Sequence, residues 1–394
     1  MSLLITDATV LAPDGPLSPG WLAAEAGHIT AMGSGDPPAG HTHADDVVDA
    51  GGATLAPGFV DVHVHGAVGH ETMDADPDGI RRMAAFYASH GVTAFCPTTW
   101  TASREDTLAA VDAVAAAMAT PGPGARILGV HLEGPFLSPE RCGAQAPEHI
   151  RPADLDELTA WLDTGVVRLI TLAPELAANR EAIAVCRARG VTVSAGHTDA
   201  TYEQARDAIE LGIDHATHLF NAMSPLHHRT PGTVGAALSD PRVRCELIAD
   251  GVHVHPGAMT VAWRAKGPDG LCLVTDALRA AGLPEGTYRF DERAVTHRDG
   301  AMWLDSGALA GSGLTMDRAL RNFLSSTGAS LAEAWPVASR TPARAAGAAG
   351  QTGELRVGAR ADLVLLDARL EVIRTVVGGA TVEPPAPRPE SVPS

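Results

Sequence analysis

Two histidines two residues apart, His63 and His65 in FVDVHVH, begin a series of metal-ligand side chains that continues with Glu133 in RILGVHLE, His197 in VTVSAGH, His218 in HATHL and Asp276 in CLVTDA. Alternate residues of a strand project from the same face, so His63 and His65 can address a single cation. The other four stand at or next to the end of an apolar run. Taken singly, each histidine has an ordinary reading as a core or surface residue. Six such groups gathered in one place have not, because buried imidazoles without a cation would leave nitrogens unsatisfied. The pattern reads as a metal-dependent hydrolase centre.

Positioning these groups falls to the apolar, β-rich runs that carry them: 59–65, 92–98, 126–133, 167–173, 191–197, 215–219, 245–250 and 272–277. They alternate with alanine-rich stretches free of internal proline, at 78–89, 103–119, 176–189, 199–212 and 315–325, which predict helices. Strand and helix in alternation imply a parallel sheet wrapped by helices, and eight strands is the number that closes an α/β barrel. In such a barrel the C-terminal strand ends surround the active site. The candidate ligands close the first, third, fifth, sixth and eighth strands. An open doubly wound sheet is the competing fold; no GxGxxG follows the first strand to support it, and the polar groups sit at many strand ends instead of one crevice.

The two chain ends have a different texture. Residues 3–10, 46–50 and 353–367, with the stretch through Val376, are short half-buried strands between glycine and proline turns. The division expected is a small β-sandwich domain from 1–53 plus 344–381, a (β/α)8 barrel over 54–343, and a proline-rich disordered tail at 382–394.

Composition narrows the function classes. The net charge of −18 disfavours nucleic acid and anionic membranes as partners. No apolar run reaches the about eighteen residues that span a bilayer. The N-terminus lacks the basic start and apolar stretch of a secretion signal, which predicts a cytoplasmic protein. Five scattered cysteines without CxxC spacing argue against a disulfide framework or a thiolate metal site. Lys266 is the only lysine.

PGFVDVHVHG (57–66), HLEGPF (131–136), SAGHT (194–198), ATHLFNAMSP (216–225), IADGVHVHP (248–256), VTDA (274–277) and LAGS (309–312) resemble, in order and spacing, the motif series of the N-acetylglucosamine-6-phosphate deacetylase family of the amidohydrolase superfamily. HLEGPF with THLFNAM is specific to that family, whereas HxH marks only the superfamily. The resemblance implies that Glu133, His197 and His218 hold the principal ion, zinc or iron, and leave a position open for water. It implies that His63 and His65, with Glu133 as a bridge, hold a second ion in some members, so one or two ions are expected. Asp276 corresponds to the aspartate that takes a proton from water on the ion and passes it to the leaving amine. Other branches of the superfamily bridge two metals through a carboxylated lysine at a strand end; Lys266, near a helix end, cannot serve.

For substrate, the resemblance carries over to Ala144, Gln145, Asn221, Ala222, Arg229, His253, Leu309 and Ala310. Arg229 corresponds to an arginine that reaches the phosphate in a neighbouring subunit's site, which implies a homodimer; its plain alternative is a solvated loop charge. Leu309 and Ala310 correspond to a loop on the sugar, with a structural turn as the competitor. One position departs: where the family has GAH after HLEGPF, this chain has GAQ, and Gln145 cannot bring positive charge toward an oxyanion as a histidine does. The expected reaction is deacetylation of N-acetylglucosamine 6-phosphate to glucosamine 6-phosphate and acetate. The alternatives are a related amidohydrolase acting on another N-acyl compound and, in a different class, a non-catalytic metal-binding barrel.

Overall fold

The structure, a computed structural model, describes residues 2–41, 44–291 and 293–382. Its centre is a parallel ring of β1 (Phe59–Val64), β2 (Val92–Thr99), β3 (Val130–Glu133), β4 (Val167–Leu172), β5 (Thr192–Ala195), β6 (His215–Ala216), β7 (Arg244–Ile248) and β8 (Leu271–Val274), paired in chain order. All eight expected strands are present. The run at 126–133 is divided, because Gly129 at φ +146° breaks Arg126–Ile127 from β3. Residues of β1 and β2 are buried throughout, as continuous apolar strands covered on both faces must be.

Closure between β8 and β1 lies at the strand ends. His65 N donates to Ala277 O and Asp276 N to His63 O, each at 2.9 Å. Thr275 Oγ1 donates to Asp61 Oδ2 at 2.6 Å inside the core, where burial pushes the Asp61 carboxyl up to about 7. The seam of the barrel therefore runs through the residues beside the candidate ligands.

Around the ring lie α1 (Pro77–Ser89), α2 (Arg104–Ala119), α3 (Leu155–Leu162), α4 (Ala177–Ala188), α5 (Tyr202–Leu211), α6 (Gly232–Ser239), α7 (Pro256–Gly270) and α8 (Met316–Thr327), one after each strand. Asp76, Ser103, Asp154 and Thr201 accept a first-turn N–H at the starts of α1, α2, α3 and α5, the task of short polar caps. Met316, Ala319, Leu320 and Phe323 form the buried stripe of α8, at the three- and four-residue spacing of one helix face. Lys266 precedes a break in α7 at Gly267 and donates to Ala237 O and Asp240 O, on the helical side of the barrel.

The chain ends build one branched eight-stranded sheet. Ser2–Ala12 pairs with Asp46–Asp49 through its first half and with Thr54–Pro57 through its second, and Thr54–Pro57 pairs antiparallel with Leu363–Leu366. Leu3, Ile5, Val10, Leu22, Leu55, Leu363, Leu365 and Val376 fill the core between its arms. Gly15–Glu25 and His28–Ser34 are further strands that the prolines and glycines of the sequence concealed. Thr54–Pro57, assigned above to the barrel, hydrogen-bonds into this terminal sheet. Val382 ends a strand (Ala380–Val382), and the rest of the expected tail lies outside the described residues.

Between β8 and α8 the chain inserts four antiparallel strands, Gly286–Phe290, Arg293–Arg298, Ala301–Leu304 and Leu309–Ser312. Leu309 and Ala310 thus lie on a strand and not, as expected, in a loop or turn. Among the described residues no helix is long and apolar enough to cross a membrane. All five cysteines are free, four of them buried.

Candidate active site

Four imidazoles and two carboxylates converge where the strands end. Glu133, the last residue of β3, lies between two histidine pairs. Its Oε1 is 3.3 Å from His197 Nε2 and 3.0 Å from His218 Nε2, and its Oε2 is 3.5 Å from His65 Nε2. His63 and His65 bring their Nε2 atoms within 3.3 Å of each other, and His197 and His218 theirs within 3.1 Å. Asp276 Oδ1 completes the group, 3.2 Å from His65 Nε2 and 3.6 Å from His63 Nε2. Every one of these six residues is at most 7% exposed.

The far nitrogens of the rings decide what the near ones present. His63 Nδ1 meets Glu246 Oε2 at 2.8 Å, His65 Nδ1 meets Thr98 O at 3.2 Å, and His197 Nδ1 meets Arg141 O at 2.9 Å. Each of these acceptors requires the ring proton on Nδ1, which leaves a lone pair at Nε2. Each of these three lone pairs then faces a carboxylate oxygen of Glu133 or Asp276 at 3.2–3.6 Å, an arrangement of acceptors that a divalent cation satisfies. The residues thus fit a metal ion by the chemistry of their donors. His218 differs, since its Nδ1 has no hydrogen-bond partner among the described residues.

The electrostatics agree with that demand. Burial alone disfavours a charged His63, but Glu246, Glu133 and Asp276 outweigh it and push His63 up to about 10. A cation must therefore displace a proton from this cluster. Glu133 and Glu246 are held well below the usual carboxylate range, because the surrounding histidines, His63 foremost, overcome the cost of burial. Asp276 is lowered for the same reason and is ionised near neutrality.

The main chain at three of these positions is itself unusual. His197, His218 and Asp276 have φ of 46°, 30° and 49°, the left-handed region that non-glycine residues seldom occupy and that clusters at functional sites. Each follows shortly on a barrel strand, and the reversal of φ tips its side chain into the ring mouth. Gly196 precedes His197 because a Cβ there would come within 2.6 Å of Thr171 Cγ2 and 2.7 Å of Thr217 Cβ.

Above the cluster opens a cavity of about 260 Å³ lined by His65, Glu133, Ala144, Gln145, His197, His218, Asn221, Ala222, His253, Asp276, Leu309 and Ala310. His63 lies behind it, fully buried. Arg229 is not in the lining. It stands on an exposed loop, 2.7 Å from His228 Nε2, beside a separate recess with Thr201 and Tyr202. Gln145 is wedged in place: Oε1 accepts from Thr101 N at 2.7 Å and Nε2 donates to Glu133 Oε2 at 2.5 Å. One amide hydrogen of Gln145 is thus committed to Glu133 and the other is left for a ligand. His253 Nδ1 meets Asp250 Oδ2 at 2.5 Å.

The sequence did not single out Trp100 and Phe290, whose rings are 4.8 Å apart and which form an apolar wall of the cavity. Trp100 directly follows β2, and its place at a strand end was the available signal. Glu246 was missed as well; its signal was an acidic residue inside the apolar run CELIAD.

Comparison with known proteins places the chain among relatives. Residues 54–382 match the profile of the Amidohydrolase family. N-acetylglucosamine-6-phosphate deacetylase of Bacillus subtilis (strain 168) is 37% identical over 383 residues, 96% of each chain. N-acetylgalactosamine-6-phosphate deacetylase of Escherichia coli O157:H7 is 42% identical over 328 residues, covering 82% of this chain and 86% of its own. The crystal structure of N-acetyl-D-glucosamine-6-phosphate deacetylase from Mycobacterium smegmatis superposes with a TM-score of 0.90 at 38% identity, covering 97% of this chain and 100% of that one.

Proposed function

The chain belongs to the amidohydrolase family, and from that premise we propose that it hydrolyses the acetamide of N-acetylglucosamine 6-phosphate to glucosamine 6-phosphate and acetate. The observation that carries the reading is the convergence of Glu133 and four imidazoles on shared space, with the Asp276 carboxylate beside them at the cavity floor.

Glu133, His197 and His218 would hold one ion and His63 and His65, with Glu133, a second; zinc or iron suits the nitrogen and carboxylate donors. Such a cation acidifies water and polarises a carbonyl. The protein's own groups do the rest. Asp276, ionised and facing the cavity, takes the proton of the attacking water and returns it to the departing amine nitrogen. The uncommitted N–H of Gln145 steadies the acetyl oxygen as a neutral donor, so the oxyanion receives a dipole there and not a charge. Trp100 and Phe290 exclude water from one side of the reacting bond.

Asn221, Ala222, His253, Leu309 and Ala310 surround the sugar in this reading. Among the described residues lining the cavity there is no arginine or lysine, and a phosphate ester needs charged donors. Arg229, exposed on its loop, supplies that charge to the neighbouring copy of a homodimer. Cytoplasmic residence, supported by five unpaired thiols, belongs to the same proposal. A second reading is the C4-epimeric galactosamine substrate: a deacetylase of that sugar is 42% identical, the same figure as for the human deacetylase of the glucosamine sugar, so assay of both sugar phosphates decides between them.

Acetate release from both sugar phosphates by metal-loaded protein, beside an Asp276→Asn variant, tests the mechanism. Asparagine tolerates the left-handed backbone at position 276 and leaves the main-chain bonds to His63 O and Ser312 N intact, so the fold should persist while turnover falls about 10³-fold. Equal rates in the two proteins refute the role of Asp276. Absence of acetate from either sugar in the parent protein refutes the reaction, and favours another N-acyl substrate or a non-catalytic metal-binding barrel.

A further inference from the structure

Glu246 is a carboxylate with no exposure, in the middle of β7 between Cys245 and Leu247. Burying an ionised carboxyl costs several kcal/mol unless its oxygens are satisfied, and here they are. Oε2 meets His63 Nδ1 at 2.8 Å and accepts from His218 N at 3.1 Å, while Oε1 meets His215 Nε2 at 3.1 Å. Strands β1, β6 and β7 therefore meet on one side chain. The neighbouring His131 takes no part in a further ligand set, because its Nδ1 and Nε2 are occupied by Val62 O at 2.9 Å and Thr171 Oγ1 at 2.8 Å.

We propose that Glu246 is the positioning residue of the metal centre: it holds the proton of His63 on Nδ1, turns Nε2 toward His65 and Glu133, and thereby sets affinity for a cation at the His63–His65 pair. The proposal rests on the metal reading above and assigns a task to a residue that does not itself face the ion. A fixed acceptor at the far nitrogen selects the tautomer, orients the ring and raises its basicity as a ligand. The contact with His218 is through the main chain, so the pair formed by His197 and His218 depends on Glu246 less than the pair formed by His63 and His65 does.

The test is a chelator-competition titration of full-length protein with Zn²⁺, comparing the parent with Glu246→Ala and Glu246→Gln, with melting curves of metal-free and loaded forms. Glutamine keeps the volume and can still accept from His63 Nδ1 through its oxygen; alanine cannot. The expected result is two ions in the parent, a second ion weakened about 100-fold by alanine and about 10-fold by glutamine, and a first ion held within a few-fold of the parent value. A role confined to tying strands together would lower the melting temperature of metal-free and loaded forms alike and leave both affinities unchanged, which overturns the proposal. An isotherm with one ion that neither variant alters overturns it too. A parent protein that takes up no Zn²⁺ refutes instead the metal reading on which the proposal stands.

Discussion

Arg229 offers the sharpest test of how the site is completed, because it is exposed and lies outside the cavity that contains Asp276. If it serves the neighbouring copy, Arg229→Ala and Asp276→Asn damage different sites in different ways. Two charge-assisted hydrogen bonds to a phosphate are together worth about 3 kcal/mol at a partly solvated interface. Their loss lowers kcat/KM for the phosphorylated sugar about 10²-fold, and leaves unphosphorylated N-acetylglucosamine nearly unaffected. In a hybrid of one Arg229→Ala chain and one Asp276→Asn chain, one site has both defects and the other has neither. The hybrid, isolated through two different affinity tags, should regain about half the parent activity per dimer, and a random mixture about a quarter. Acetate release under subsaturating substrate is the assay. Hybrid activity no greater than the mean of the Arg229→Ala and Asp276→Asn homodimers would refute the crossing of Arg229 into its neighbour. Equal losses on phosphorylated and unphosphorylated sugar would refute the phosphate contact itself.

Two further outcomes follow from packing and charge. Gly196→Ala places a methyl group within 2.6 Å of Thr171 Cγ2; thermal unfolding should show a loss of about 1–3 kcal/mol, with a weakened first ion as His197 is displaced, and unchanged stability and metal content would contradict the steric account. Asp240, 2% exposed, is held at about 2 chiefly by hydrogen bonds from the Arg242 side chain, below its unfolded value near 4. A depressed carboxyl stabilises the fold above pH about 4 and loses that contribution as pH falls toward 2. Urea unfolding of Asp240→Asn should accordingly differ from the parent by about 1 kcal/mol more at pH 7 than at pH 2, half-exposed Arg242 limiting the effect; a pH-independent difference would count against it.

Much of the barrel and its candidate ligands was legible because the two signals coincide. Apolar β-rich runs locate the strands, and a polar residue closing such a run stands at the ring mouth; His63, His65, Glu133, His197 and Asp276 were found in this way. The 286–312 insertion was not legible. Tyr288, Phe290, Val295 and Met302 alternate with polar neighbours, but Asp291, Gly300 and Gly307 interrupt the pattern every few residues, as they do in loops. Strand Gly15–Glu25 hides behind Pro16 and Pro19 in the same manner. Gln145 was noticed as a departure, but its seat between Thr101 N and Glu133 depends on two segments far apart in sequence. Glu246 required even more, a carboxylate whose partners come from β1 and β6.

The left-handed backbone at His197, His218 and Asp276 has a consequence for how such a protein ages. Each of the three conformations costs about 1–2 kcal/mol for an ordinary residue, less for histidine or aspartate, and least for glycine or asparagine. A lineage released from selection for turnover would gain stability by those replacements before any others in the ring mouth. Glycine or asparagine at 197, 218 and 276 is therefore the mark by which a retired copy of this barrel should be recognised. For the same reason, a stability-driven redesign that leaves these positions free would dismantle the metal centre first.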